Sequence, residues 1–133
     1  MKGEGVLGKF LMPAEEYFYL VFRVFIGLFY FMHGGMKVLW PASPMPTLFV
    51  VVGWFEVVAG LLILLGLFTR LGALIGAVIM VVAWFKAHAP SGWNPLTNGG
   101  ELALLFLVSF LVLLVHGSGK YGVEHFMKKK EKI

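Results

Sequence analysis

Two shortages define this chain before any motif is considered. It has no cysteine among its 133 residues, and charged residues make up only 14% of it, about half the share of an average soluble domain. The first excludes, for this chain alone, disulfide exchange, thiolate nucleophiles, iron-sulfur ligation and covalent haem attachment through a C-x-x-C-H signature. Any electrons it handles must travel on a quinone, a noncovalent cofactor or a partner subunit. The second shortage is matched by 59% hydrophobic residues. That is the composition of a membrane protein.

A hydrocarbon core of about 30 Å takes about 20 helical residues per crossing. Segments of that kind fall at about 14–37, 47–67, 71–88 and 100–116, and little chain is left over for a separate soluble domain. A β-barrel would need alternating strands of about 10 residues. Runs such as Leu61-Leu62-Ile63-Leu64-Leu65 are apolar at every position, and in lipid only a helix satisfies their backbone. The expected fold is therefore an all-α integral membrane four-helix bundle, one domain over residues 1–133 with a short basic C-terminal tail. The first apolar segment contains Arg23 and ends in His33-Gly34-Gly35-Met36-Lys37 without a small-residue cleavage pattern, so it reads as retained.

The formal charge of +4 gathers in the tail, at Lys128-Lys129-Lys130 and Lys132. With no aromatic interleaving, it does not have the look of a nucleic-acid surface. A polybasic tail beside a last crossing acts as an orientation signal and attracts anionic lipid. In a four-crossing arrangement Lys2, Lys9, Arg70, Lys120 and the tail lysines fall on one side, with Lys37 and Lys86 on the other. Both termini are then expected in the cytoplasm, in the plasma membrane of a prokaryote. The tryptophans gather toward the outer side. Trp40 and Trp84 suit an aromatic belt, Trp93 lies in the outer loop, and Trp54 lies deeper as a candidate pocket wall.

Boundaries have ordinary causes. Pro13 suits a first helical turn, with Glu15 and Glu16 meeting the positive helix end, and Thr47 after Pro44 and Pro46 suits a cap. Gly66 to Arg70 reads as a tight inner turn, and Pro90 to Gly100 as a longer outer loop, either a lid or a plain connector. Gly72-x-x-x-Gly76, Ala73-x-x-x-Ala77, Gly53 and Gly60 mark close-packing faces.

Ionisable groups in hydrocarbon cost roughly 2.5 kcal/mol or more by insertion scales, so they normally survive only when paired, watered or used. At about 100° per residue, Arg23, Gly27, Tyr30, Gly34 and Lys37 share one side of the first helix, with His33 at its edge. An Arg23 to Glu56 ion pair is expected, serving as assembly glue or as a proton-accepting carboxylate with its counter-charge. At the outer level His33, Lys37, Lys86, His88 and Glu101 converge from three helices. Together with Trp54 they offer the donors, proton sources and aromatic wall that a quinone head requires. The same cations suit a small sulfur oxyanion, and snorkelling to water is the plain alternative for Lys37 and Lys86. Haem or metal at His33 and His88 is the weaker reading, since two histidines without a diagnostic spacing specify neither. His116 and His125 look peripheral.

At these residues the chain resembles the DoxX family of small four-helix membrane proteins. The resemblance rests on Arg23 with His33-Gly34-x-x-Lys37, Glu56-x-x-x-Gly60, Gly66-x-x-Thr69-Arg70, Lys86-x-His88 and Gly99-Gly100-Glu101, and runs from about Arg23 to Tyr121. It implies membrane oxidoreduction of the thiosulfate:quinone oxidoreductase type, working with a second, smaller subunit. One departure is Gly117-Ser118-Gly119-Lys120-Tyr121-Gly122-Val123-Glu124, where the family tends toward Gly-Pro-Gly and then Ser-Leu-Asp. The expected roles are proton handling by Glu56, His33 and His88, and quinone or substrate binding by Arg23, Lys37, Trp54, Lys86 and Glu101. The rival from another class is a noncatalytic accessory subunit of a larger respiratory or transport assembly. A small transporter is disfavoured, because the helices show no unwound midplane site. The bilayer is the first partner, followed by a second protein subunit or a second copy of the chain.

Overall fold

A computed structural model describes residues 5–131, and among these every regular element is helical. The order is α1 (Val6–Leu11), a 3-10 turn over Met12–Ala14, α2 (Glu15–Val38), α3 (Thr47–Leu65), α4 (Thr69–Ala83), a π-helical turn over Trp84–His88, a 3-10 turn over Ala89–Ser91, α5 (Pro95–Asn98), α6 (Glu101–His116) and α7 (Val123–Glu131). Three stretches, Val6–Val38, Thr47–Leu65 and Thr69–Ser91, are long and apolar enough to cross a membrane. The fourth apolar helix, α6, has 16 residues, about 24 Å at 1.5 Å per residue.

The expected segments differ from these helices mainly at their ends. The second stops at Leu65 because Gly66 takes a left-handed φ of 69°, the usual way to close a helix C-terminus. Thr47 does not cap α3: the N-cap is Pro46, with no side-chain bond to the first turn. Pro13 sits in the 3-10 turn ahead of α2. The loop from Pro90 to Gly100 is more ordered than its turn-rich composition implied, because Asn94 accepts a hydrogen bond from Leu96 N and caps α5. The basic tail carries α7. Lys2 and Lys132, counted in the charge bias, lie outside the described residues, as do the side chains of Lys129 and Lys130.

Glycines set the spacing of α2 and α3. A Cβ on Gly34 would lie 2.6 Å from Gly53 O and 2.7 Å from Val57 N. One on Gly27 would collide with the backbone at Leu64, and one on Gly60 with the backbone at Phe31. Pairs of glycines seven residues apart, Gly27 with Gly34 and Gly53 with Gly60, thus interlock on antiparallel helices. This is the backbone-on-backbone approach that small residues permit in lipid. On α4 the work is divided, since Gly72 faces Ala59 O and Ile63 of α3 while Gly76 accepts the ring of Phe110 from α6. Between the helices lies a core of Tyr30, Ile63, Phe106, Phe110 and Leu113, with Ala59, Ala73 and Ala77.

The end of the bundle at the α3–α4 turn is closed by polar clasps. Arg23 is only 2% exposed, and its Nη1 donates to Ser118 O at 2.8 Å. Arg70 donates from Nε to Leu114 O and from Nη2 to Val115 O, both at 2.9 Å. Tyr19 donates to Gly117 O, Glu16 accepts from Lys120 N at 3.0 Å, and Glu124 N donates to Gly66 O. The last carbonyls of a helix have no partner of their own. Cationic side chains that meet them satisfy the lone pairs and complement the helix dipole.

Substituting Gly34→Val should force α2 and α3 apart, because the nearest atoms are backbone and cannot rotate away. Overpacking of this kind typically costs about 1–3 kcal/mol. Thermal unfolding in detergent should show a clear drop for Gly34→Val and little change for Leu65→Ala, whose side chain is half exposed.

Candidate functional site

The opposite end of the bundle holds a cavity of about 590 Å³, within the range typical of small-molecule sites. Its polar wall is His33 and Lys37 from α2, Glu56 from α3, and Lys86 and His88 from the π-helical turn. The remainder is apolar, including Phe49 and Val52 of α3, Met80 of α4 and Phe106 of α6. Five of the eight site residues proposed from sequence are thus brought together.

Glu56 is the centre of the polar wall and is 1% exposed. Its Oε2 accepts a hydrogen bond from Lys37 Nζ at 2.6 Å. On the other side His33 Nδ1 stands 3.5 Å from Oε1, beyond good hydrogen-bond range, and both atoms lack a hydrogen-bond partner. The register follows from the glycines, since Gly34 is the α2 residue that abuts Glu56 Cβ and Val57 N. Glu56 is therefore level with His33 and Lys37, which flank Gly34.

Three sequence expectations are corrected by this geometry. Arg23 does not pair with Glu56 and does not border the cavity. It lies eleven residues before Gly34, roughly 16 Å down the helix, where it caps the chain after α6. Trp54 is no pocket wall: two residues from Glu56, about 200° around the helix, it is 48% exposed on the outer face. Glu101 is exposed in the first turn of α6, where an acidic side chain complements the helix dipole. The cavity takes Gly99, Leu102, Ala103 and Phe106 from that part of the chain instead.

Sequence reasoning missed two residues. Asn98 is 9% exposed. Its Nδ2 donates to Gly92 O at 2.8 Å, its Oδ1 accepts from Gly100 N at 2.7 Å, and its own carbonyl oxygen lies 3.3 Å from His88 Nδ1. It therefore organises the loop from Gly92 to Gly100 and holds His88. The turn-rich loop composition concealed it. Tyr30 is fully buried between Phe106 and Phe110, and its hydroxyl has no hydrogen-bond partner. One α-helical turn before Gly34, it could have been singled out from the polar stripe. Trp84 also departs from a belt position: it is 9% exposed and packs against His88, Trp93 and Gly100.

The π-helical turn has a local consequence. Widening the helix at Trp84–His88 changes the angular spacing of the side chains that follow, and such bulges recur at functional sites. Lys86 and His88 both border the cavity as a result. Among the described residues no group of three or more His, Asp or Glu side chains comes together to hold a metal ion.

Comparison with known proteins gives a family. The DoxX family model matches residues 18–89, more than half of the chain. The chain belongs to the DoxX family. A protein of Haemophilus influenzae described as uncharacterized is 34% identical over 131 residues, covering 90% of this chain and 98% of its own. A second protein of the same organism, likewise described as uncharacterized, is 36% identical over 74 residues, covering 56% of this chain and 49% of its own. No solved structure matches. The segment matched by the DoxX model contains most of α2, all of α3 and α4, and all five residues of the polar wall. Family membership and the apolar helices together make this DoxX chain a multi-pass membrane protein, in contact with lipid.

Removing Lys37 would leave the Glu56 carboxylate buried without its cation, a change that typically costs about 3–5 kcal/mol. Lys37→Met should lower the unfolding midpoint in detergent sharply. The double variant Lys37→Met with Glu56→Gln should recover most of the loss, because the uncompensated charge is then gone.

Proposed function

We propose that this chain is the membrane subunit of a quinone-linked oxidoreductase that takes electrons from a reduced sulfur compound, such as thiosulfate, and passes them to the quinone pool. The observation that carries this reading is the cavity in which Glu56, His33, Lys37, Lys86 and His88 form one polar wall of an otherwise apolar chamber. A quinone head fits that chemistry. It needs donors at its carbonyl oxygens and apolar walls, and a cavity near 590 Å³ accommodates its ring with part of a tail. When bound, a quinone supplies a two-electron, two-proton acceptor.

The residues of the chain then divide the work. Lys86 at the rim orients a carbonyl oxygen by donating a hydrogen bond, and His88, whose Nδ1 is held by the Asn98 carbonyl oxygen, does so from Nε2 when its ring is protonated. His33 and Glu56 exchange protons with the bound head, and His33 at 39% side-chain exposure connects the buried carboxylate to water. Lys37, at 2.6 Å, supplies the counter-charge to the Glu56 carboxylate. With no cysteine, the chain leaves the sulfur-oxidising step to a second protein subunit of different sequence, since another copy of this chain would lack cysteine as well.

The charge distribution supports four crossings, with α6 as the fourth. The clasped end, bearing Lys9, Arg70, Lys120 and Lys128, faces the cytoplasm of a prokaryotic cell. The cavity then opens toward the outer leaflet. A fluorescent protein fused after Ile133 should fluoresce, and alkaline phosphatase at the same point should stay inactive; the reverse pattern would reject this orientation.

The second reading is a noncatalytic accessory subunit. It is favoured by the 2.6 Å pair of Lys37 with Glu56, which already satisfies part of the polar wall and holds α2 to α3. The chain purified together with its partner subunit in nanodiscs, supplied with a quinone and thiosulfate or sulfide, separates the two. Glu56→Gln and His33→Ala should each cut turnover by roughly a hundredfold, the scale of a lost proton-transfer group. Unchanged turnover in both variants, or a stable heteromeric complex whose activity survives them, would favour the accessory role.

A further inference from the structure

The cavity is not closed on the side of the bilayer. Near their connecting turn α3 and α4 touch, with Gly72 against Ala59, Leu62 and Ile63. Toward their other ends the same two helices both border the cavity. The bordering residues include Phe49 at 48% exposure on α3, and Val78 at 56% and Val82 at 50% on α4. Large apolar side chains that line a cavity and are also half exposed mark its mouth. That mouth lies between two stretches long and apolar enough to cross a membrane, so it faces acyl chains rather than water.

At the inner end of the mouth the chemistry changes. Glu56 is almost wholly buried, and its Oε1 has no hydrogen-bond partner. Lys86 borders the same space with no carboxylate paired to it among the described residues. The Lys37–Glu56 pair is internally neutral, so Lys86 leaves the polar wall with an excess of positive charge. It therefore suits a head that offers a hydroxyl hydrogen to Glu56 and an electron-rich oxygen to Lys86.

We infer that the cavity is loaded sideways from the membrane, through the gap between α3 and α4, by a single-chain amphiphile. Its hydroxyl-bearing head lodges against Glu56 and Lys86, and its apolar chain leaves past Val52 and Val82 into the bilayer. The ligand class deepens the quinone reading and rests on it for the identity of the head. The route does not depend on that identity. A head delivered from the aqueous side would enter past Lys86 and Gly99, the exposed loop-side part of the lining, whereas the gap between the helices is framed by Phe49, Val52, Val78 and Val82.

The absence of native cysteine allows a direct test with the full chain in proteoliposomes. Ala103, 8% exposed on the cavity wall, is replaced in Ala103→Cys and labelled either with an alkyl maleimide dissolved in the bilayer or with a sulfonated, membrane-impermeant maleimide. The alkyl reagent should label roughly tenfold faster or more, since its chain concentrates it in lipid. Adding Val52→Trp and Val82→Trp, at positions that face the gap, should abolish most of that advantage. Faster labelling by the sulfonated reagent, or alkyl labelling indifferent to both tryptophans, would overturn the lateral route.

A second measurement addresses the ligand. Binding of a decyl-substituted hydroquinone, the reduced ring that carries the hydroxyls, should weaken in Val52→Trp with Val82→Trp, while binding of the same ring without a chain should hold. Equal loss for both rings would overturn a chain exit at this gap. If neither ring binds while the alkyl maleimide still labels through the gap, the quinone reading falls and the lateral route stands.

Discussion

The close approach of α2 and α3 governs the rest of the molecule. Gly27, Gly34, Gly53 and Gly60 bring two backbones into contact along most of their length. That contact fixes the axial register of the helices to within a residue, because a glycine displaced by one position would put a side chain where only backbone fits. Register in turn decides which ionisable groups meet. With Gly34 seated against Val57, Glu56 falls beside His33 and Lys37 rather than beside Arg23. The buried carboxylate acquires a cation at 2.6 Å, without which its burial in lipid would be severely unfavourable.

The two ends of the bundle solve opposite problems. At the clasped end Arg23, Arg70 and Tyr19 spend their donors on backbone carbonyls of the segment from Leu114 to Ser118. The result is an end closed by side-chain donors, at which Arg23 Nε and the Thr69 hydroxyl stay buried without a hydrogen-bond partner. At the cavity end the helices separate, and several polar atoms remain unmatched, including Glu56 Oε1, His33 Nδ1 and the Tyr30 hydroxyl. Unmatched buried polar atoms are costly and are few in native proteins. Of these, the Glu56 and His33 atoms belong to residues that border the cavity, where a ligand would meet them.

Much of this was legible in the linear pattern. The membrane class, the helix segments to within a few residues, the polar stripe on α2 and the convergence of His33, Lys37, Lys86 and His88 follow from hydropathy, from the helical repeat and from antiparallel succession. What was misread has a common cause. Arg23 and Glu56 were paired by charge and approximate depth, and Trp54 was assigned to the pocket by nearness in sequence to Glu56. Depth estimated from residue counts carries an uncertainty of a turn or more, and a neighbour two positions along a helix points to a nearly opposite face. Glu101 failed differently, since a helix's first turn can satisfy an acid without any site.

The sequence by itself determined that the chain is helical and membrane-embedded, because composition and periodicity act locally and lipid leaves the backbone few alternatives. It also supplied the inventory of titratable groups at one level of the bundle. Only the tertiary structure decided which of them share a cavity, that Asn98 holds His88, and that α3 and α4 part to leave a mouth toward the bilayer. Those outcomes depend on helix rotation and register, set by contacts between residues far apart in the chain, such as Gly34 with Val57 and Gly72 with Ala59. No local pattern encodes them.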